Sequence, residues 1–214
     1  KRDFFARFWG KNYLISDGKT DRFASLFSWN ALSEILSTHR FEFPRLRLLS
    51  GGRVAPPDQY IVNKVDRRGN IYTTHDSDSV ERLLRNGAML HITSIGETWQ
   101  PLATFAAQLE PILGGRVQVN LHAGYAGSRG FHTHWDGHDV YAAQIDGRKK
   151  WRLFGFTEEA PLAVPPDAKR GAPTDASWEG TLGTGHTLYV PRGYWHATQF
   201  LDAPSLHLTF AVQH

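Results

Sequence analysis

From Gly115 to the end of the chain, apolar and polar residues alternate in short runs that Gly, Pro and Asp interrupt. A period of two puts successive side chains on opposite faces of an extended strand, so this half can bury its apolar residues only as paired strands. The runs fall at 116–123, 131–135, 139–146, 149–156, 187–190, 196–200 and 205–212. Short strands with turn residues between them predict a mainly β fold, a sandwich, barrel or jelly roll, rather than a parallel sheet crossed by helices. The stretch 157–183 is rich in Pro, Ala, Gly and Asp and reads as a long inserted loop, a functional lid or a disordered segment.

The first half reads differently. Phe4, Phe5, Phe8, Trp9, Leu32, Ile35 and Leu36 recur at helical intervals, which predicts two short helices, the second capped by Ser28. Residues 45–73, broken by Gly51, Gly52, Pro56 and Pro57, predict strand pairs; a helix at 79–86 closed by Gly87, a strand at 88–94 and a helix at 101–113 come next. With 214 residues the chain is expected to form one domain.

Composition removes several chemistries. There is no cysteine, which excludes disulfides, thiolate zinc sites, iron–sulfur clusters and cysteine nucleophiles. The net charge of +3 is small, and the densest basic run, 148–152, is interrupted by Trp151, so a nucleic-acid partner is disfavoured. No apolar run is long enough to span a membrane and residues 1–8 do not read as a secretory signal, which makes a cytoplasmic protein the expectation. Eleven histidines against one methionine point towards imidazole chemistry.

The sharpest constellation is His134-Trp135-Asp136 at the end of one expected strand, with His196 at the start of another, after Val190-Pro191-Arg192-Gly193-Tyr194-Trp195. Residues i and i+2 of a strand share a face, so His134 and Asp136 can grip one ion together. Two imidazoles and a carboxylate on one face of an octahedron leave open positions, the donor set of non-haem Fe(II) oxygenases. Zinc hydrolases use the same donors, and a lone His-x-Asp is common by chance. His132 and His138 crowd the segment and stay open as partners; His134 is preferred because of the residues downstream of it.

In Arg148-Lys149-Lys150-Trp151-Arg152-Leu153 the alternation puts Arg148, Lys150 and Arg152 towards solvent and Lys149 on the apolar, inward side. A buried ammonium needs an anion or loses its proton. A dicarboxylic cosubstrate would satisfy it; the plainer reading is a lysine whose stem covers apolar surface while its head reaches water. Gln118, Asn120 and His122 alternate with Val117, Val119 and Leu121, and Ser205, His207 and Thr209 with Leu206, Leu208 and Phe210. These polar faces point either into the mouth of a jelly roll or, more plainly, out to water.

Gly87 to Ser94, Val117-Gln118-Val119-Asn120, the run His134 to Tyr141, Gln144, Gly147 to Trp151 and Val190 to His196 together match the order and spacing of a known family. The chain resembles the cupin-like JmjC oxygenases, the group that includes the bacterial and human ribosomal oxygenases; even Asp3-Phe4-Phe5 to Trp9 is similar to their opening helix. The resemblance covers nearly the whole chain. It implies a double-stranded β-helix, with 88–214 as core, 157–183 as an insertion in it and 1–87 as a helical and strand elaboration. It implies Fe(II) held by His134, Asp136 and His196, with 2-oxoglutarate bound by Lys149 and contacted by Asn120. His122 falls where relatives often carry Tyr, and Thr209 is a further candidate. The implied reaction consumes O₂ and 2-oxoglutarate, yields succinate and CO₂, and hydroxylates a peptide, protein or amino-acid side chain; N-methyl-lysine demethylation is the less favoured variant. The substrate walls are expected in 45–73 and 157–183. Ribosomal oxygenases continue into a helical dimerisation region and a winged-helix domain, whereas this sequence stops at His214, so a ribosomal target is not implied. The competing expectations are a metal-binding cupin sensor without turnover and a zinc or manganese cupin enzyme such as an isomerase.

Overall fold

The computed structural model describes residues 2–128, 130–157 and 171–213. Helices α1 (Arg2–Arg7) and α2 (Trp29–Thr38) open the chain, with strand β1 (Leu14–Ser16) between them. Ser28 caps α2 as expected, its Oγ accepting from the Ala31 amide at 3.2 Å, and Ala31, Leu32 and Ile35 form the buried stripe. The broken segment yields β2 (Leu46–Ser50), β3 (Arg53–Val54) and the separate hairpin β4 (Ile61–Val65) and β5 (Ile71–His75). Helix α3 (Ser77–Arg85) starts on Asp76, whose carboxylate accepts from the Ser79 amide at 3.1 Å. Strand β6 (Met89–Ile92) and helix α4 (Gln100–Leu113) come after it, and α4 closes on Gly114 in the left-handed conformation at φ +74.

The β half is β7 (Arg116–Gly124), β8 (Asp139–Phe156), β9 (Trp178–Gly183), β10 (Thr187–Val190) and β11 (Tyr194–Gln213). The main sheet runs β1-β10-β8-β11-β7-β6-β2-β3, with β9 added on β8. All its pairs are antiparallel. The fold is mainly β, with helices at the start of the chain, as the sequence led one to expect.

Three expectations change. The runs 139–146 and 149–156 are one strand, β8, and 196–200 and 205–212 are one strand, β11. Their pairing carries a register shift between Phe200 and Ser205, where Gly147 sits at φ +72 opposite Ser205, so both strands bend at one level without breaking. The run 131–135 is not a strand. The inserted stretch 157–183 is not loop throughout, because β9 pairs with β8 from Leu153↔Trp178 to Arg148↔Gly183; 158–170 lie outside the described residues.

The outer face of the sheet is apolar and lies under helices. Leu46, Leu48, Leu90, Ile92, Leu121, Leu206 and Leu208 share one core with Leu32 and Ile35 of α2 and Leu102 and Ala106 of α4. Covering that face leaves the alternate residues to point the other way, into the mouth of the fold, and this resolves the two readings of the polar strand faces. Among the described residues, no helix is long and apolar enough to cross a membrane.

Candidate metal centre

His134 belongs to no strand, yet it pairs with His196 in a single antiparallel bridge. The two exchange both backbone hydrogen bonds, His134 N to His196 O at 3.0 Å and His196 N to His134 O at 2.8 Å. Two residues on, the Gly193 amide donates to the Asp136 carbonyl at 2.8 Å, and Gly193 holds φ +80, which its lack of a Cβ permits. A bridge and a glycine turn thus place the two segments, where His134 was expected at the end of a strand.

One ligand atom from each of His134, Asp136 and His196 lies within 4.8 Å of the others. The Asp136 carboxylate sits 4.0 Å from His134 Nε2 and 3.6 Å from His196 Nε2. Each imidazole donates from Nδ1 to a carbonyl, His134 to His132 O at 2.7 Å and His196 to Tyr194 O at 3.0 Å. A carbonyl can only accept, so both rings carry their proton on Nδ1 and present the Nε2 lone pair to the same point. Burial pushes the His196 imidazole down to about 4, so it is neutral and free to ligate at neutral pH. Burial also raises the Asp136 carboxyl, but His196 and His134 outweigh it and hold the group below its ordinary value. Of the rival histidines, exposed His132 contributes its carbonyl and His138 lines the cavity outside this cluster.

The three residues line a cavity of about 310 Å³, and among the described residues Asp136 is its single lining carboxylate. Across its wall runs a row that four neighbouring strands bring into register: Arg47↔His91, His91↔His122 and His122↔His207. Arg47 Nη2 donates to His91 Nδ1 at 3.2 Å; the His91 and His122 rings lie 4.7 Å apart, and His122 stacks on His207 at 4.5 Å and 7°. At the far end Lys149 Nζ is 3.4 Å from His207 Nδ1 and 4.1 Å from the centre of the Phe200 ring. Burial, helped by the Arg47 charge, pushes His91 down to about 3, and burial holds His122 and His207 well below their ordinary values.

Lys149 is inward, as the alternation required, and only 1% exposed; it makes no ion pair with a described carboxylate, and desolvation drives its amine far below the usual lysine range. It lies behind His207 rather than on the cavity surface. Its neighbours Lys150 and Arg152 do face outward, both to Glu179 of β9, at 2.6 and 3.0 Å. Asn120, His122 and Thr209 all line the cavity. Asn120 Oδ1 accepts from the Ser94 amide at 3.1 Å and from Gln118 Nε2 at 2.9 Å, and His122 Nε2 lies 3.4 Å from Thr209 Oγ1. Sequence reasoning missed Arg47 and His91 and gave His207 no role. For Arg47 and His91 the signal was a single polar residue flanked by buried aliphatic ones, in strands too short to show a period.

The JmjC domain family matches residues 96–214, more than half of the chain. Among characterised proteins, the chain is 29% identical over 220 residues to the bifunctional lysine-specific demethylase and histidyl-hydroxylase NO66 of Caenorhabditis briggsae, covering 98% of this chain and 27% of that protein. It is 37% identical over 111 residues to ribosomal oxygenase 2 of Rattus norvegicus, covering 49% of this chain and 23% of that one. The crystal structure of the Escherichia coli ribosomal oxygenase YcfD superposes with a TM-score of 0.66 at 18% identity, over all of this chain and 51% of that one. A structure of YcfD in complex with cobalt and 2-oxoglutarate superposes with a TM-score of 0.64 at 18% identity, over the same shares of the two chains. The fold is therefore shared with YcfD, while the chain spans about a quarter of the curated relatives' length.

Proposed function

The chain belongs to the JmjC domain family, and on that premise we propose that it is an Fe(II)- and 2-oxoglutarate-dependent oxygenase that hydroxylates a C–H bond of a peptide, protein or amino-acid side chain. In this reading 1–214 is one catalytic unit. His134, Asp136 and His196 would hold the metal, and the fit is supported by two Nε2 lone pairs and one ionised carboxylate converging at the cavity wall. Iron bound there would supply the oxidation of substrate carbon by O₂, coupled to the conversion of 2-oxoglutarate to succinate and CO₂.

The observation that carries the cosubstrate is Lys149. A fully buried amine with no described acid partner, beside a cavity that already holds a metal-ligand set, is costly unless an anion meets it. The far carboxylate of 2-oxoglutarate would be that anion, held by Lys149 beside His207. The Asn120 carbonyl oxygen is already engaged, so its amide nitrogen is the group free to orient the ligand. His122 and Thr209 offer further donors, and Trp151, Phe131 and Val140 keep the pocket dry. The relatives' names include both demethylase and hydroxylase; the same bond cleavage serves both, and hydroxylation is the form proposed for this chain.

Anaerobic Fe(II) protein given 2-oxoglutarate should develop the weak visible band of a chelate, weakened in Lys149→Ala and absent in His134→Ala. Aerobically, succinate should form above a His196→Ala control across a panel of peptides and amino acids. A band without succinate would move the assignment to a sensor, and neither signal would sink the oxygenase reading.

A further inference from the structure

The row across the cavity has a basic side chain at each end, Arg47 and Lys149, and only one of them is needed for the cosubstrate. From Arg47 to His207 the row crosses three strand spacings, about 14 Å. The two carboxylates of 2-oxoglutarate are separated by only three carbons, so a molecule whose far carboxylate meets Lys149 beyond His207 is shorter than the row that leads to Arg47. Charge agrees with distance: a divalent ion, Asp136, a dianionic cosubstrate and a protonated Lys149 balance to zero, which leaves the charge of Arg47 unmatched. Arg47 makes no ion pair with a described carboxylate, and Arg45 beside it takes Glu97 at 3.2 Å. The hydrogen bonds described for its guanidinium run from Nη2 to His91 and Thr93, while the buried Nε has no partner. A guanidinium that lines a cavity without a described acid partner is a recognition group waiting for an acceptor.

Resting on the oxygenase reading, we propose that Arg47 is a specificity residue that receives a carboxylate of the substrate, so that the preferred substrate is a peptide presenting an acidic side chain or a free C-terminal carboxylate near the oxidised residue. The planar, five-donor guanidinium suits a carboxylate and is anchored for it, because His91 and Thr93 fix Nη2 at the wall of the cavity that Arg47 lines. The three imidazoles between Arg47 and Lys149 then separate a cosubstrate end from a substrate end.

The test uses the full chain holding Mn(II) under anaerobic conditions, with and without 2-oxoglutarate, and fluorescent short peptide pools. One amidated pool has a central Asp or Glu, a second has Asn or Gln there, and a third is neutral with a free C-terminus. The acidic or the free-carboxylate pool should bind about tenfold tighter than the amide pool, the worth of one charge-assisted contact. Arg47→Gln should erase that difference, and Arg47→Lys should keep part of it, which also serves as the folded control. Affinity for 2-oxoglutarate, measured separately, should be unchanged in Arg47→Gln and lost in Lys149→Met. Equal binding of all pools, or a preference that survives Arg47→Gln, overturns the proposal. So does loss of 2-oxoglutarate binding in Arg47→Gln, which would give Arg47 to the cosubstrate. Failure of the wild-type chain to bind 2-oxoglutarate instead sinks the oxygenase reading, while the peptide arms without cosubstrate still decide the role of Arg47.

Discussion

Lys149 is 1% exposed, its amine lies over the Phe200 ring, and its polar neighbour among the described residues is the neutral His207 imidazole at 3.4 Å. Its folded proton affinity lies below that of the unfolded chain because burial penalises the charged amine, so the lysine costs stability in the cofactor-free state. Lys149→Met keeps the volume and removes the cost. The expected outcome is a gain of about 1–3 kcal/mol in the absence of ligand, together with loss of the stabilisation that 2-oxoglutarate gives the wild type. Thermal melts of both proteins with and without 2-oxoglutarate check it; a destabilised, still ligand-responsive variant would show that Lys149 serves only the fold. The residue's inward direction was legible in the alternation of 148–153, but its lack of a partner was not, since that depends on every chain segment around it.

At the scale of elements, β8 and β11 each serve both halves of the fold, and their shared bend positions Lys149 and His207. A Cβ at Gly147 would overlap the Pro204 carbonyl oxygen and lie 3.1 Å from Ser205 Cα, at a φ of +72 that L side chains avoid. Gly147→Ala should therefore cost about 2–4 kcal/mol from overpacking and left-handed strain combined. Gly69→Ala, at φ +84 but with nothing within 4 Å, carries the strain alone and should cost about 1–2 kcal/mol. Urea unfolding of the pair checks the difference, and equal costs would mean that the bend has room to relax. The sequence showed turn residues at this level and so suggested separate strands. A glycine that bends a strand and a glycine that ends one look alike until the partner strand is in place.

Across the molecule, the row of imidazoles makes the fold sensitive to acid. His91 titrates near 3 in the folded state and near 6.5 unfolded, so the unfolded chain binds the proton first as pH falls. Stability of the metal-free protein should be full above pH 6.5 and decline as pH falls from 6.5 towards 3; for His91 alone the loss is of order 3–5 kcal/mol at completion. His122 and His207 shift in the same direction. Urea midpoints at neutral and mildly acidic pH measure the slope, and a flat profile would mean that the row admits water and protons without unfolding.

By itself the sequence determined the strand-rich half, the capped helices, the inward face of residue 149 and the His134, Asp136 and His196 constellation, because period, turn chemistry and ligand spacing are local properties of the chain. Only the tertiary structure decided that helices cover the apolar sheet face and so turn the polar one into a cavity. It also decided that a bridge and not a strand sets His134, and that Arg47, His91, His122 and His207, far apart in sequence, stand in one row. Register across four strands is a long-range property, fixed by which faces can be buried together, and no single strand carries it.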